Sequence, residues 1–351
     1  MSDLKKPLLE VLIATYNRPD RVLNAIHSCL NIKDDRIIVS CSSNGREEKL
    51  MHLVNYDKRL RFSFFETNQG PNKNWGKLLK SSIAKFSLLL SDEDSLNEEH
   101  VIALLNWLDL NSKIAIANCT VINEVDKSVS YQPNKYFEFL DLKKIFLIYP
   151  EQTSYLSGYI FNNDYLHQID LEYYLNPTQG NVYGHINMAH KLLNFGNHGL
   201  FSKPVILKGQ DDHFGGHAYE HVNINNFESE LKLNPIVYSS FARALQFYYM
   251  HQIIRKSLPN LSSIYLFFYD LDLMIGSYFG VLSGNSACGQ NENIYLEVKK
   301  ATLFAKRNKE FKKSISTILF PYLFKINFIF CIRSLKFLLI KIRSILIKFH
   351  L

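Results

Sequence analysis

The sequence predicts an α/β fold, a mostly parallel sheet with helices on both faces, followed by a helical C-terminal extension. Three observations lead there. Short apolar runs of strand length alternate with segments of helical apolar spacing through about the first 96 residues. Polar loops close the strands at the ends where such sheets bind their ligands. Hydrophobic residues make up 47% of the 351-residue chain against 21% charged, with 25 Phe and 20 Tyr, which supplies a large core and rules out a disordered chain.

The elements follow in order. Leu8 to Ala14 is a short apolar run with the length of a buried strand, and TYNRPDRVLNAIHSCL behind it gives a loop and then a helix. Arg36 to Val39 repeats the strand signal, SCSSNGREE is turn chemistry, and Glu47 to Val54 predicts a second helix. Arg61 to Phe65 is a third strand, NQGPNKN a loop, Trp75 to Lys85 a third helix and Phe86 to Leu90 a fourth strand. Ile114 to Val121 predicts one more strand. Beyond it the pattern is irregular to residue 235, residues 236–310 read as mostly helical, and residues 311–351 stand apart by composition.

Charge is unevenly spread. From Lys299 to Leu351 there are 13 basic residues and one acid, Glu310, so this end carries +12 while residues 1–298 carry −5 of the net +7. A uniformly basic nucleic-acid binder would not show that split, and no nucleic-acid partner is expected. The five cysteines, Cys29, Cys41, Cys119, Cys288 and Cys331, are odd in number and lack paired spacing, which speaks against a disulfide framework or a zinc site. No secretory signal opens the chain, and no window holds about 18 uninterrupted apolar residues. The expectation is a cytoplasmic protein that does not span a membrane.

Ser91-Asp92-Glu93-Asp94-Ser95 follows the apolar run FSLLL directly. Two carboxylates two residues apart at a strand end can face one hard cation such as Mg²⁺ or Mn²⁺. The same pair would also suit a solvated acidic turn ahead of a helix starting near Asn97.

In context, VLIATYNRPDRVLNAI, NQGPNKNW and LLLSDEDSL, in this order, resemble the nucleotide-binding half of family 2 glycosyltransferases of the GT-A fold. The resemblance implies that Thr15, Tyr16, Asn17 and Arg18 line a nucleotide-sugar site, with Thr15 and Tyr16 against base and ribose and Arg18 near the phosphates. Asn68, Gly70, Asn74, Asp92 and Glu93 would belong to the same site, and Asp92 and Asp94 would hold the Mn²⁺ or Mg²⁺ ion. The family's acid at the end of the second strand is missing from Val39-Ser40-Cys41-Ser42-Ser43-Asn44, so any hydrogen bonding to the base there would fall to Ser42 or Asn44. The domain layout implied is a GT-A domain over 1–235, with a nucleotide half at 1–120 and an acceptor half at 121–235.

In the acceptor half, Ser157-Gly158-Tyr159-Ile160-Phe161 resembles the strand bordering the acceptor pocket. The family's general base is an acidic pair on a later helix. Aligning that helix on Lys191 and Gly196 puts Gly184 and His185 in the acidic slot, so His185 is a candidate base. Glu151 and Glu172 are other candidates, and a retaining outcome stays open. His213, within GQDDHFGGHAYEH, is a candidate metal or diphosphate ligand on a glycine-hinged loop, for which a polar surface loop is the plainer account.

On a helical wheel Arg333, Lys336, Lys341, Arg343 and Lys348 fall within about 160° of arc, with leucines, isoleucines and Phe349 filling the rest. Such a tail can lie on an anionic membrane surface, attached peripherally to its inner face. The function expected is metal-dependent transfer of a sugar from a nucleotide-sugar donor to a hydroxyl of a lipid-linked glycan or polysaccharide. LLLSDEDSL is similar to members that build O-antigen or capsule, the abequosyltransferase-like group among them. The alternatives are a non-catalytic membrane-surface protein with a degenerate fold, and a sugar nucleotidyltransferase, for which ATYNRPDR lacks the glycines of a phosphate loop.

Overall fold

The computed structural model describes residues 6–131, 155–175 and 184–209. The expected boundary at 235, the helical region at 236–310, the tail at 311–351, and Glu151 and His213 lie outside the described residues.

β1 (Leu9–Thr15) passes through a three-residue turn into α1 (Pro19–Leu30). Pro19 presets the first helical φ and needs no amide partner, and Asp20 in the first turn suits the helix dipole. Val22, Ala25, Ile26, Cys29 and Leu30 recur at helical spacing and bury one face, packing with Leu9, Val11 and Ile13 of β1. β2 (Ile37–Ser43) follows. The helix expected over 47–54 is a 3₁₀ helix, Glu48–Leu53, whose buried residues Leu50 and Leu53 are three apart, the period that helix type favours.

β3 (Leu60–Phe64) leads to α2 (Pro71–Ser81), which begins four residues before the expected start. Gly70, at φ 84, turns the chain as only glycine does readily, and Pro71 is the first helical residue. Asn72 and Asn74 therefore lie inside the helix and are buried. β4 (Phe86–Ser91), β5 (Ser95–Leu96) and α3 (Glu98–Leu110) follow, then β6 (Ile116–Asn123), β7 (Val129–Tyr131), β8 (Tyr159–Asn162), α4 (Asn163–Leu166), α5 (Leu171–Tyr174), α6 (Gly184–Leu192) and β9 (His198–Lys208).

Among the described residues the strands form one nine-stranded sheet in the order β3-β2-β1-β4-β8-β6-β9-β5, with β7 beside β6. The stretch β3-β2-β1-β4 is parallel, as predicted. Past β4 the sheet is mixed: β8 runs antiparallel between β4 and β6, while β9 is parallel to β6. The parallel expectation rested on strand–helix alternation, which stops at α3. β6 and β7 are joined by a short turn and must pair antiparallel.

Glu10 interrupts the apolar run of β1 and is fully buried. It accepts hydrogen bonds from Arg61 at 2.7 Å, from Ser40 Oγ at 2.5 Å and Ser82 Oγ at 2.9 Å, and from the N–H groups of Ile83 and Ala84. One carboxylate thus ties β1, β2, β3 and the link into β4 together near the amino ends of the strands, away from the end where the polar loops meet.

Candidate active site

β1 lies between β2 and β4 in parallel register, so the carboxyl ends of all three strands present their loops side by side. Thr15 Oγ1 donates to Asp92 Oδ2 at 2.7 Å. Arg18 Nη1 donates to Asp92 Oδ1 at 3.1 Å and to Glu93 Oε2 at 3.2 Å, and Arg21 adds an ion pair to Glu93 at 3.6 Å. The turn after β1 is closed by Asn17, at φ 56, whose N–H donates to Glu47 Oε1 at 2.5 Å. Tyr16 is half-buried, and its ring lies beside Gly45. The expected grouping of Thr15, Arg18, Asp92 and Glu93 is present, with Tyr16 and Asn17 on the same turn.

Other expected residues shape this site from below. Asn44 is 1% exposed, and its carboxamide is occupied: Nδ2 donates to Asn68 Oδ1 at 2.6 Å, and Oδ1 accepts from Gln69 N–H at 2.8 Å. Asn68 Oδ1 also accepts from Gly70 N–H at 2.8 Å. Asn74 Nδ2 donates to the Ser42 and Thr15 carbonyls at 2.8 and 3.3 Å, stitching α2 to β2 and β1. Ser42 is fully buried. Ser42 and Asn44 therefore floor the site in this structure and do not face its opening. Cys41 is also fully buried, and burial pushes its thiol up.

Asp94 is 1% exposed. Its carboxylate accepts from Tyr155 Oη at 2.7–2.8 Å, from Ser157 Oγ at 2.5 Å and from Gly209 N–H at 3.1 Å. Each donor is held there by a specific constraint. Gly158 has φ 93 and bonds Leu89 and Cys119 through its backbone, which seats Ser157 where its hydroxyl also accepts from Ser91 N–H at 2.8 Å. At Gly209 a Cβ would run into the Glu93 carbonyl oxygen, so only glycine brings that amide so close. Lys208 stacks on the Tyr155 ring at 5.4 Å, and its charge favours the Asp94 anion. Tyr155, Lys208 and the backbone of Gly209 were missed from sequence because the contacts join positions 61 to 115 residues apart.

Burial pushes the carboxyls of Asp92 and Asp94 above the usual range. Arg18 and Thr15 pull Asp92 back, and Ser157, Tyr155 and Gly209 pull Asp94 back. Glu47 is raised too, first by burial, with the Asn17 amide opposing. Among the described residues no three His, Cys, Asp or Glu side chains are grouped as a ready metal site. The donor chemistry of the Asp92–Asp94 turn nevertheless suits a hard cation. Three of the groups bonded to the two carboxylates are hydroxyls, of Thr15, Tyr155 and Ser157, which can turn a lone pair towards a cation. Arg18 is the charged group that would have to yield.

In the half expected to meet the acceptor, His185 stands in the first turn of α6, is 5% exposed and packs edge-on against the Tyr159 ring at 5.0 Å. The glycine before it is forced by packing: a Cβ at Gly184 would fall 2.8 Å from a Leu175 methyl and 3.0 Å from the Tyr174 carbonyl. A larger side chain there would have to displace the Leu175 methyl and crowd the Tyr174 carbonyl. Glu172 is 80% exposed and pairs with Lys80 at 2.5 Å, next to the Ser82–Glu10 contact at the opposite end of the strands. The structure thus separates Glu172 from the Asp92–Asp94 turn.

Residues 10–165 match the family model described as Glycosyl transferase family 2. Two curated relatives are similar over parts of the chain. TuaG of Bacillus subtilis (strain 168), named for teichuronic acid biosynthesis, is 23% identical over 107 residues, 29% of this chain and 42% of that protein. The uncharacterized glycosyltransferase MJ1057 of Methanocaldococcus jannaschii is 28% identical over 155 residues, 42% of this chain and 53% of that one. The chain spans about half the length of these relatives. The crystal structure of S. aureus TarS 1-349 in complex with UDP-GlcNAc superposes with a TM-score of 0.57 at 15% identity, covering 90% of this chain and 85% of that one. The parallel β3-β2-β1-β4 sheet, the acidic turn closing β4 and the match of residues 10–165 to the Glycosyl transferase family 2 model agree, and the fold is GT-A-like.

Proposed function

We propose that this protein is a glycosyltransferase that moves a sugar from a nucleotide-sugar donor to an acceptor hydroxyl, with the donor diphosphate held at the carboxyl ends of β1, β2 and β4. One observation carries the reading: Thr15, Arg18, Asp92 and Asp94 converge on the end of β4 within a family 2 domain. Asp92 and Asp94 would hold a Mn²⁺ or Mg²⁺ ion, which supplies Lewis-acid neutralisation of the departing diphosphate. Arg18, released from Asp92, is placed to pair with the phosphates, a bidentate partner its guanidinium suits. Tyr155 and Lys208 cover Asp94 and keep the turn dry.

His185 is the proposed acceptor base, because Gly184 and His185 stand where the resembled family carries its acidic pair. Its His185→Ala variant should lower turnover with little change in donor affinity. A cell-surface glycan acceptor, lipid-linked and met at the inner membrane face, agrees with TuaG's name and with the +12 charge from Lys299 onwards. Deleting residues 314–351 should release the protein from anionic vesicles, and retention on the vesicles would remove the tail from the account.

The test of the reading is donor hydrolysis across UDP-, GDP-, CDP- and dTDP-sugars with Mn²⁺, repeated in EDTA. Release of nucleoside diphosphate from one donor, lost in EDTA, is expected. No release from any donor, or release indifferent to EDTA, would overturn the function or its metal dependence respectively.

A further inference from the structure

We propose that Glu93 is the positioning residue for Arg18, holding its guanidinium beside the acidic turn for the donor diphosphate once Asp92 has turned to its cation. The inference rests on the nucleotide-sugar reading above, which gives Arg18 to the phosphates and leaves Glu93 without a task. One nitrogen serves two carboxylates: Arg18 Nη1 lies 3.1 Å from Asp92 Oδ1 and 3.2 Å from Glu93 Oε2. Asp92 is held at its other oxygen by the Thr15 hydroxyl. Arg21 Nη1 lies 3.6 Å from the same Glu93 oxygen, so this carboxylate stands between two guanidinium groups.

The two cations are poorly placed without Glu93. Arg18 is the N-cap of α1 and Arg21 stands in its first turn, so both sit at the positive end of the helix dipole and close to each other. Glu93 offsets that repulsion from outside the helix. A dication on Asp92 would take away one partner of Arg18 and repel its guanidinium, which electrostatics alone would then drive towards solvent. Asp92 and Glu93 are the two groups that hold Arg18 among the described residues, so Glu93 is what remains to keep it at the turn. Only 8% of the Asp92 side chain and 16% of the Glu93 side chain are exposed, which sets the pair apart from an ordinary surface ion pair screened by water. Arg21 in turn keeps Glu93 from swinging to the cation itself.

The experiment measures binding of the tightest of UDP, GDP, dTDP and CDP to the full chain by calorimetry in saturating Mn²⁺, for the parent, Glu93→Gln, Arg18→Ala and the double variant. Removing a negative charge beside a diphosphate should, through its field alone, strengthen binding. Loss of a positioning residue does the opposite, and the sign separates the two. Affinity should fall about threefold or more in Glu93→Gln and about tenfold or more in Arg18→Ala, as loss of a charged hydrogen bond predicts. In the Arg18→Ala background Glu93→Gln should cause no further fall, because no guanidinium remains for it to position. Calorimetric stoichiometry reports the folded fraction, so a variant that folds poorly lowers the stoichiometry and not the affinity. Unchanged or tighter binding in Glu93→Gln, or an equal fall in both backgrounds, would overturn the role of Glu93 while leaving the nucleotide-sugar reading intact. Arg18→Ala that binds as the parent does would overturn this role together with the part of Arg18 in that reading. Parent protein that binds no nucleoside diphosphate would overturn both.

Discussion

Asp94 separates a structural from a catalytic carboxylate when it is replaced in two ways. In Asp94→Ala the Ser157 hydroxyl and the Gly209 amide, both buried, lose their acceptor, and Tyr155 Oη loses its own but is half-buried and can turn to water. Each buried donor left without a partner costs about 1–3 kcal/mol. Relief from burying an anion, whose cost the raised carboxyl records, offsets part of this, leaving an expected loss of about 1–4 kcal/mol. In Asp94→Asn the amide oxygen still accepts from Gly209, and the hydroxyls of Ser157 and Tyr155 can reverse to accept from the new NH₂ group. Stability should then stay within about 1 kcal/mol of the parent. If Asp94 holds the cation as proposed, both variants lose a ligand worth several kcal/mol in the transition state, so turnover should fall more than about a hundredfold in each. Urea melts and donor turnover on the same preparations give both quantities. An Asn variant as unstable as the Ala variant would refute the hydrogen-bond account, and turnover within about tenfold of the parent would refute the ligand role.

Three further predictions concern the frame. Gly209→Ala drives a Cβ into the Glu93 carbonyl, so the end of β9 must move; a loss of about 1–3 kcal/mol together with lost turnover is expected in melts and donor assays. Glu10→Ala leaves Arg61, two hydroxyls and two amides at a buried position without their acceptor, and should cost about 3–5 kcal/mol in a urea melt while nucleotide affinity at the opposite end is unchanged. Burial lowers His198 from 6.5 to about 4 and His190 to about 3. The unfolded chain therefore binds more protons, and the stability these groups contribute is full above pH 6.5 and lost as pH falls towards 4. The raised carboxyls of Asp92 and Asp94 act in the opposite sense, favouring the folded state at low pH and losing that contribution as pH rises through their folded values. His198→Gln should flatten the acid limb of urea melts taken across this range, and an unchanged limb would contradict the assignment.

Much of the nucleotide half was legible in the sequence because its information is local. Pro19 with Asp20, Gly70 with Pro71, and the apolar run before Asp92 each mark an element end through neighbouring residues. The errors there were of kind and boundary: a 3₁₀ turn where an α-helix was expected, and α2 starting at its proline. The donors to Asp94 were not legible, since Tyr155 and Gly209 meet it only after β8 and β9 have joined the sheet beyond β4. Ser42 and Asn44 illustrate the converse. Their place at the end of β2 was correct, but a strand position does not reveal that a side chain is already committed to Asn68 or buried beneath the turn.

The central claim is that the end of β4 holds a cation and a nucleoside diphosphate together. Calorimetric titration of the preferred nucleoside diphosphate into the full chain, with Mn²⁺ and with EDTA, tests it most directly. Affinity should rise at least about tenfold with Mn²⁺ in the parent, and the gain should vanish in Asp94→Asn, whose fold is retained. Equal affinity with and without the metal, or a gain that survives in Asp94→Asn, would contradict the account.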